Sequence, residues 1–149
     1  MALSKITPES INLASDFAGM GFGGTGAANQ LDDYEEGTWT GTATVSGGGT
    51  SNIVNEEYIK IGKIVHITFT VNFSGASGTL VVSGLPFASN PASVGIGRED
   101  ATSGYAVYGR VTSGHTTVAM FYAGATANAT PFQVSAGNMR FSMTYRTNS

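Results

Sequence analysis

The sequence predicts an all-β fold: an antiparallel β-sandwich of jelly-roll type, with about eight strands behind an extended N-terminal leader. Two observations carry this prediction. After residue 37, most segments alternate apolar and polar residues with the period of two that a half-buried strand requires. Glycine is also frequent, at 21 of 149 residues, and short Gly/Ser turns separate the segments at regular spacing. Regularly spaced short strands without a convincing helix are typical of sandwiches.

The clearest strand is Ile64 to Ser74, where from Val65 onward residues of odd number are apolar and residues of even number are polar. The last predicted strand, Asn138 to Arg146, alternates in the same way, and so does the first, which follows Gly37 and has Trp39 on its apolar face. Odd-numbered residues of Ile64 to Ser74 are therefore expected to point inward, with His66 pointing outward. The remaining predicted strands are 57–61, 79–83, 93–98, 105–111, 115–123 and 132–135, with a hairpin turn at 62–63 and a loop at 46–51.

Residues 1–30 form the predicted leader, and residues 31–149 form the predicted β-sandwich domain. The spacing of apolar residues in the leader follows neither the helical nor the strand period over more than a few residues. Residues 19–28 are too rich in glycine to fold alone. We expect the leader to dock onto sister subunits or a larger particle; the alternative is a leader folded back on its own domain. The expected docking residues are the large apolar ones: Leu3, Ile6, Ile11, Leu13, Phe17, Met20 and Phe22.

Composition excludes several classes of protein. The chain has no cysteine, so disulfide frameworks and Cys-ligated metal sites are excluded. A net charge of −3 argues against electrostatic binding of nucleic acid over a broad surface. Neither a long apolar run nor the apolar core of a secretory signal is present, so we expect a protein made in the cytoplasm without membrane insertion.

An acidic stretch at the start of the predicted domain concentrates four of the ten carboxylates beside the single tryptophan. Glycoside cleavage needs two carboxyls facing each other across a sugar, and four acids in five positions of one turn do not provide that. A calcium site is the other alternative, but the EF-hand spacing is absent. We interpret the stretch as a joint whose acids stay solvated or bind a neighbour's arginine (98, 110, 140 or 146). Its residues are Asp32, Asp33, Tyr34, Glu35, Glu36 and Trp39.

Neither an enzyme nor a cofactor-dependent protein is predicted. His66 and His115 are the only histidines, and the GxSxG elbow of a serine hydrolase does not occur. Gly21, Gly23 and Gly26 spell the dinucleotide-binding pattern GxGxxG, but that motif needs a strand before it and a helix after it. We therefore expect no catalytic residue, cofactor or metal.

Aromatic residues on two neighbouring predicted strands are the best candidates for a binding surface. Tyr108 and Phe121 should lie on the face opposite to Tyr105 and Tyr122, so that all four cannot enter one core. Exposed aromatics either stack on sugar rings or fill a subunit interface. Because their surroundings are uncharged, we favour Tyr108 and Phe121 as a subunit interface.

Three motifs in order resemble a recurrent module of tailed-bacteriophage proteins. They are LDDYEEGTWT at 31–40, YIKIGKIV at 58–65 and VSGLPF at 82–87. The module is similar to the C-terminal domain of phage tail fibres and related virion structural proteins. One departure is Gly41, where such modules usually carry a proline.

The resemblance implies a β-sandwich that forms a homotrimer and displays a surface to host-cell glycans. Since only about thirty residues precede the module, too few for a shaft, we expect a short trimeric tail fibre or receptor-binding knob in the virion. Its leader would plug into tail, baseplate or capsid proteins. The alternative is a capsid decoration or head-fibre protein with a purely structural role.

Overall fold

The structure, a computed structural model, describes residues 20–21, 30–31, 34–76, 78–100, 104–122 and 137–148. Within these residues the protein is all-β and contains no helix, which confirms the predicted class. The strands are β1 Met20–Gly21, β2 Gln30–Leu31, β3 Tyr34–Thr38, β4 Thr42–Val45, β5 Thr50–Ile61, β6 Ile64–Ser74, β7 Leu80–Ser83, β8 Ser93–Glu99, β9 Ala106–Val111, β10 Thr117–Tyr122 and β11 Gly137–Arg146.

Nine of these strands belong to one antiparallel sheet, in the order β3-β5-β6-β11-β8-β9-β10-β7-β4. The sheet curls into a half-barrel, and its concave side holds the core. The two separate sheets of the predicted sandwich are not confirmed, because hydrogen bonding runs through all nine strands. β1 and β2 pair with each other in a separate two-stranded sheet.

The core rests on the long pairing of β6 with β11. Phe69 lies directly opposite Phe141 in this ladder, and the two rings are 5.1 Å apart. Both strands bury every second residue, as their alternation predicted, and leave the others half-buried or exposed. Each buried aliphatic or aromatic side chain contributes about 1.5–3 kcal/mol, so this pair of strands supplies much of the stability.

Three glycines make room for the Phe141 ring. A Cβ atom on Gly95 or Gly109 would lie 2.6 Å from Phe141 Cζ, and one on Gly97 would lie 2.9 Å from Phe141 Cδ2. Gly95 and Gly109 are also direct partners across β8 and β9. Since real Cβ atoms do not come so close, any side chain at these positions would push the ring out of the core.

The two edges of the sheet approach each other on one side of the half-barrel. The Ser51 hydroxyl on β5 donates to the Ala43 carbonyl on β4 at 2.9 Å. The Trp39 amide, between β3 and β4, donates to the Glu56 carbonyl at 3.4 Å. The curl therefore brings the first strands of the domain against the far edge of the same sheet.

Several predicted boundaries differ from the structure. Residues 34–38 form an edge strand, where we expected a turn, and β5 begins at Thr50, inside the expected loop at 46–51. A register shift between Val54 and Glu57 divides β5, and Asn55 there has a positive φ of 57°. The bulge reverses the alternation, so the pattern before it is out of phase with the pattern after it. The predicted strand at 132–135 lies outside the described residues.

The half-barrel has two distinct ends. At one end, called the turn end, Tyr34 pairs with Ile61 beside the tight turn at 62–63. At the other, called the loop end, lie residues 46–49, between β4 and β5, and residues 75–76, after β6. Tyr34, the first residue of β3, therefore lies at the turn end.

Candidate functional site

The acidic stretch does not bring its described carboxylates together. Glu35 and Glu36 are neighbours on β3 and therefore point to opposite faces. Glu36 accepts a hydrogen bond from the Tyr34 hydroxyl, which raises the pKa of Tyr34. Asp32 and Asp33 lie outside the described residues. The arrangement offers no facing pair of acids in residues 34–36, and its role as a joint stays a prediction.

On the inward face, Glu35 belongs to a polar cluster at the turn end. It accepts a hydrogen bond of 3.0 Å from Tyr58, and this bond raises the pKa of Tyr58. The Tyr58 ring packs edge-on against Phe87, and the buried Lys60 ammonium lies 5.6 Å from the centre of the Phe87 ring. Glu35 therefore has a structural role in this cluster, which its position in the sequence did not predict.

Trp39 packs into the core next to this strand. Its ring is 8% exposed and meets Phe69 edge-on at 5.7 Å. A Cβ atom at Gly41 would lie 2.6 Å from the Trp39 ring, so the indole covers the backbone of the following residues. Trp39 is thus buried where the chain passes from β3 to β4.

Most of the expected docking residues lie outside the described part of the chain: Leu3, Ile6, Ile11, Leu13, Phe17 and Phe22. Met20 lies in β1, where it is paired with Leu31 of β2. Their docking role stays a prediction.

The outward face of the sheet, opposite the core, carries the aromatic pair that the sequence singled out. Tyr108 and Phe121 are cross-strand partners whose rings stack at 5.2 Å with an angle of 20°. The Arg110 guanidinium lies 5.6 Å from the centre of the Phe121 ring. On the adjacent β8, Val94 and Ile96 are 61% and 66% exposed. We call this surface the aromatic patch; it consists of Val94, Ile96, Tyr108 and Phe121.

The prediction that the aromatic residues divide between two faces is confirmed. Tyr122 lies opposite the fully buried Val107 and packs against the core. Tyr105 meets Tyr122 edge-on at 5.5 Å. The aromatic patch therefore belongs to Tyr108 and Phe121 alone among these four residues.

A second group of large apolar side chains on the outward face escaped the sequence analysis. It lies on β3, β5 and β6 at the turn end, and each member is between 42% and 51% exposed. Alternation of β5 did not predict it, because apolar residues face both sides there. We call it the isoleucine patch; it consists of Tyr34, Ile59, Ile61 and Ile64.

His66 lies between the two patches, beside two hydroxyl groups of β11. Its Nδ1 is 2.9 Å from the Thr144 hydroxyl oxygen, and its Nε2 is 3.5 Å from that of Ser142. A catalytic triad places a carboxylate at the first of these positions, where it orients the imidazole. Here a threonine hydroxyl takes that place on an exposed surface, so the contacts suit a hydrogen-bonding surface histidine. His115 lies in the exposed turn before β10.

An open groove of about 490 Å³ crosses β6, β11 and β8 on the outward face, towards the loop end. Hydroxyl groups of Thr68, Thr70 and Ser142 line it. A second depression of about 420 Å³ shares Ile96 and Ser142 with it and reaches Tyr108. The volumes of both lie in the range of ligand sites. We call the first of them the central groove.

Residues of the described part do not form a metal site or a membrane-crossing helix. No group of three or more His, Cys, Asp or Glu residues in these ranges could hold a metal ion. No helix long and apolar enough to cross a bilayer occurs in them either. No protein-family model, curated protein or solved structure matches this chain.

Proposed function

We propose that this chain is a bacteriophage virion protein: a short trimeric tail fibre or receptor-binding knob that attaches to host-surface glycans. The proposal joins the phage-module resemblance to one observation. The outward face of the sheet carries an aromatic patch directly beside an open groove lined by hydroxyl groups. The hydroxyl groups of the groove can bind sugar hydroxyls, so the groove has the chemistry of a glycan site, and the aromatic patch beside it is left for the subunit contact.

Two separate apolar patches on one face also support a cyclic oligomer. The isoleucine patch lies on β3, β5 and β6, whereas the aromatic patch lies on β8, β9 and β10. Different patches that meet head-to-tail form a ring when the rotation closes. Large exposed apolar side chains of this kind are uncommon on a surface that stays in water. In the proposed homotrimer, Tyr108 and Phe121 contact the isoleucine patch of a neighbouring subunit. The curled sheet of each subunit replaces the β-sandwich that was expected from the sequence.

The two ends of the half-barrel suit docking and display. Residue 34 lies at the turn end, so the leader reaches the domain from that side. The loop residues 46–49 and 75–76 lie at the opposite end. In the proposed virion the leader plugs into tail, baseplate or capsid proteins, and the loop end points outward.

Binding of the purified full-length chain to a bacterial glycan array tests the attachment function. We expect binding to a subset of surface polysaccharides, and we expect Thr70→Val, which removes a hydroxyl group from the central groove, to weaken it. An array that stays blank throughout would contradict attachment. Placement of the subunit on the capsid lattice, seen in images of the intact particle, would then favour the decoration role.

A second experiment tests docking through the leader. Full-length chains that carry Ile6→Ser, Ile11→Ser and Phe17→Ser together should fold and assemble as the parent does, but should not join the particle. A matched triple change of Ser4, Ser10 and Ser15 to Ala leaves the apolar residues in place and serves as the control. Incorporation of the first variant at the parental level would contradict docking by these residues.

A further inference from the structure

All four arginines of the chain lie on the outward face of three adjacent strands. Arg140 and Arg146 are on β11, Arg98 is on β8 and Arg110 is on β9, and each is exposed. The residues next to each arginine along its strand point toward the core, so the arginine side chains point to the outward face. The outward positions of these three strands hold no acid. A chain of net charge −3 therefore presents one positively charged surface.

Two of these arginines lie directly opposite each other at the central groove. Arg98 and Arg140 are cross-strand partners, and both line the groove. Like charges in this relation repel each other and destabilise a sheet. Asp100 lies between them, 3.9 Å from Arg98 Nε and 3.1 Å from Arg140 Nε. One carboxylate thus balances two guanidiniums, and the rim of the groove keeps one net positive charge.

Both guanidiniums remain accessible to a ligand. The Arg98 side chain is 70% exposed and the Arg140 side chain 77% exposed, whereas Asp100 is 27% exposed. Each contacts Asp100 through Nε, and a guanidinium has two further nitrogen atoms that donate hydrogen bonds. Exposed ion pairs contribute at most about 1 kcal/mol, so a ligand can reorient these side chains at little cost.

The remaining walls of the groove suit a sugar ring. Thr68, Thr70 and Ser142 supply hydroxyl groups, and Ile96 supplies an exposed apolar side chain. Asn55 borders the groove from the bulge of β5, in a left-handed backbone conformation that costs about 1 kcal/mol or more for a non-glycine residue. An amide, three hydroxyls and an apolar side chain match the hydroxyl groups and the apolar face of a pyranose.

We propose that the central groove binds a sugar that carries a carboxylate, held by Arg98 and Arg140. The proposal rests on the attachment function above and names the class of glycan. A planar carboxylate fits the fork of a guanidinium through two parallel hydrogen bonds, which the neutral hydroxyl of an ordinary hexose cannot form. The second positive charge at the rim is the one that the ligand carboxylate balances.

Binding of the full-length chain to immobilised carboxylated polysaccharides tests this proposal. The probes are polygalacturonate, hyaluronate and polysialate, each paired with its methyl ester, and dextran sulfate serves as a sulfated polyanion. We expect at least one carboxylated probe to bind and its ester to bind at least tenfold more weakly. Equal binding of acid and ester, or stronger binding of dextran sulfate than of any carboxylate, would overturn the proposal.

Arginine variants separate the groove from general charge attraction. Arg98→Gln and Arg140→Gln should each weaken binding about 10- to 100-fold, the usual effect of losing a hydrogen bond between charged groups. Arg146→Gln removes the same charge from the same face outside the groove, and should change binding less than threefold. Equal losses in all three variants would overturn the site. Circular dichroism and sedimentation of each variant check that fold and assembly are unchanged.

The result also distinguishes this proposal from the attachment function. A chain that binds only neutral glycans on the array would keep attachment and overturn the carboxylate site. A chain that binds no glycan of either kind would overturn both.

Discussion

Replacement of Trp39 by alanine should destabilise the domain by about 3 kcal/mol. The indole is 8% exposed and packs on Phe69. An aromatic side chain buries about 150–250 Å², which at about 25 cal/mol per Å² corresponds to about 4–6 kcal/mol. Alanine retains part of this area, and large aromatic-to-alanine changes usually cost about 3–5 kcal/mol. Among the described residues Trp39 Nε1 has no hydrogen-bond partner. Truncation therefore also removes the cost of burying an unpaired N–H group, and the expected loss of stability lies at the lower end of this range.

Urea unfolding followed by far-ultraviolet circular dichroism measures this change, because the variant lacks the only tryptophan and its fluorescence. Trp39→Phe is the matched control. It keeps a ring against Phe69 and removes the unpaired indole N–H, so we expect it to cost about 1 kcal/mol or less. A free energy of unfolding that falls by less than 1 kcal/mol in Trp39→Ala would show that Trp39 does not anchor the start of the domain.

Two further predictions concern the core. Burial raises the pKa of Tyr145 to about 12, above the ordinary value of about 10, so the folded state resists loss of this proton. The contribution of Tyr145 to the free energy of unfolding is fully present below about pH 10. It is lost as the pH rises through about 12, and the loss is on the order of 2 kcal/mol. Unfolding measured from pH 9 to 12 should show this loss, and Tyr145→Phe should reduce it; an unchanged slope in the variant would contradict the assignment. Gly109→Ala should cost about 1–3 kcal/mol, because its Cβ would lie 2.5 Å from Val118 Cγ1 and 2.6 Å from Phe141 Cζ. When Phe141→Leu is added to Gly109→Ala, the double variant should lose less free energy of unfolding than the sum of the losses in the two single variants. Strictly additive losses, measured by urea unfolding, would contradict the clash between these two residues.

Alternation predicted the strands whose two faces differ clearly. The bounds of β6 were predicted without error, and the inward and outward residues of β6 and β11 were assigned correctly, because one face of each lies in the core. The first half of β5 was missed, since the bulge at Asn55 shifts the phase of the pattern. Residues 34–38 were missed as a strand because their acids resemble a turn, although Glu35 is held inward by Tyr58.

Closure of the sheet could not be predicted, because it depends on contacts between distant segments. Gly95 and Gly109 look like ordinary weak strand positions in the sequence. Only the register shows that both face Phe141 and make space for its ring.

Only part of the candidate surface was visible in the sequence. Tyr108 and Phe121 were singled out because alternation placed them on one face, and the structure stacks them. Pairing of Arg98 with Arg140 is set by the register of β8 with β11, which join segments far apart in the chain. The isoleucine patch was missed for a different reason: isoleucine on a strand is as typical of a core as of an interface.

The oligomeric state of the full-length chain tests the central claim most directly, namely that the outward face is a contact surface. Sedimentation equilibrium should give three times the 15.3 kDa mass of one chain. Tyr108→Ser with Phe121→Ser should lower this mass to that of a single folded chain, whereas Thr112→Ser with Ser113→Thr, in the exposed turn after β9, should leave it unchanged. A parent chain that sediments as a monomer, or a double variant that stays trimeric, would contradict the account.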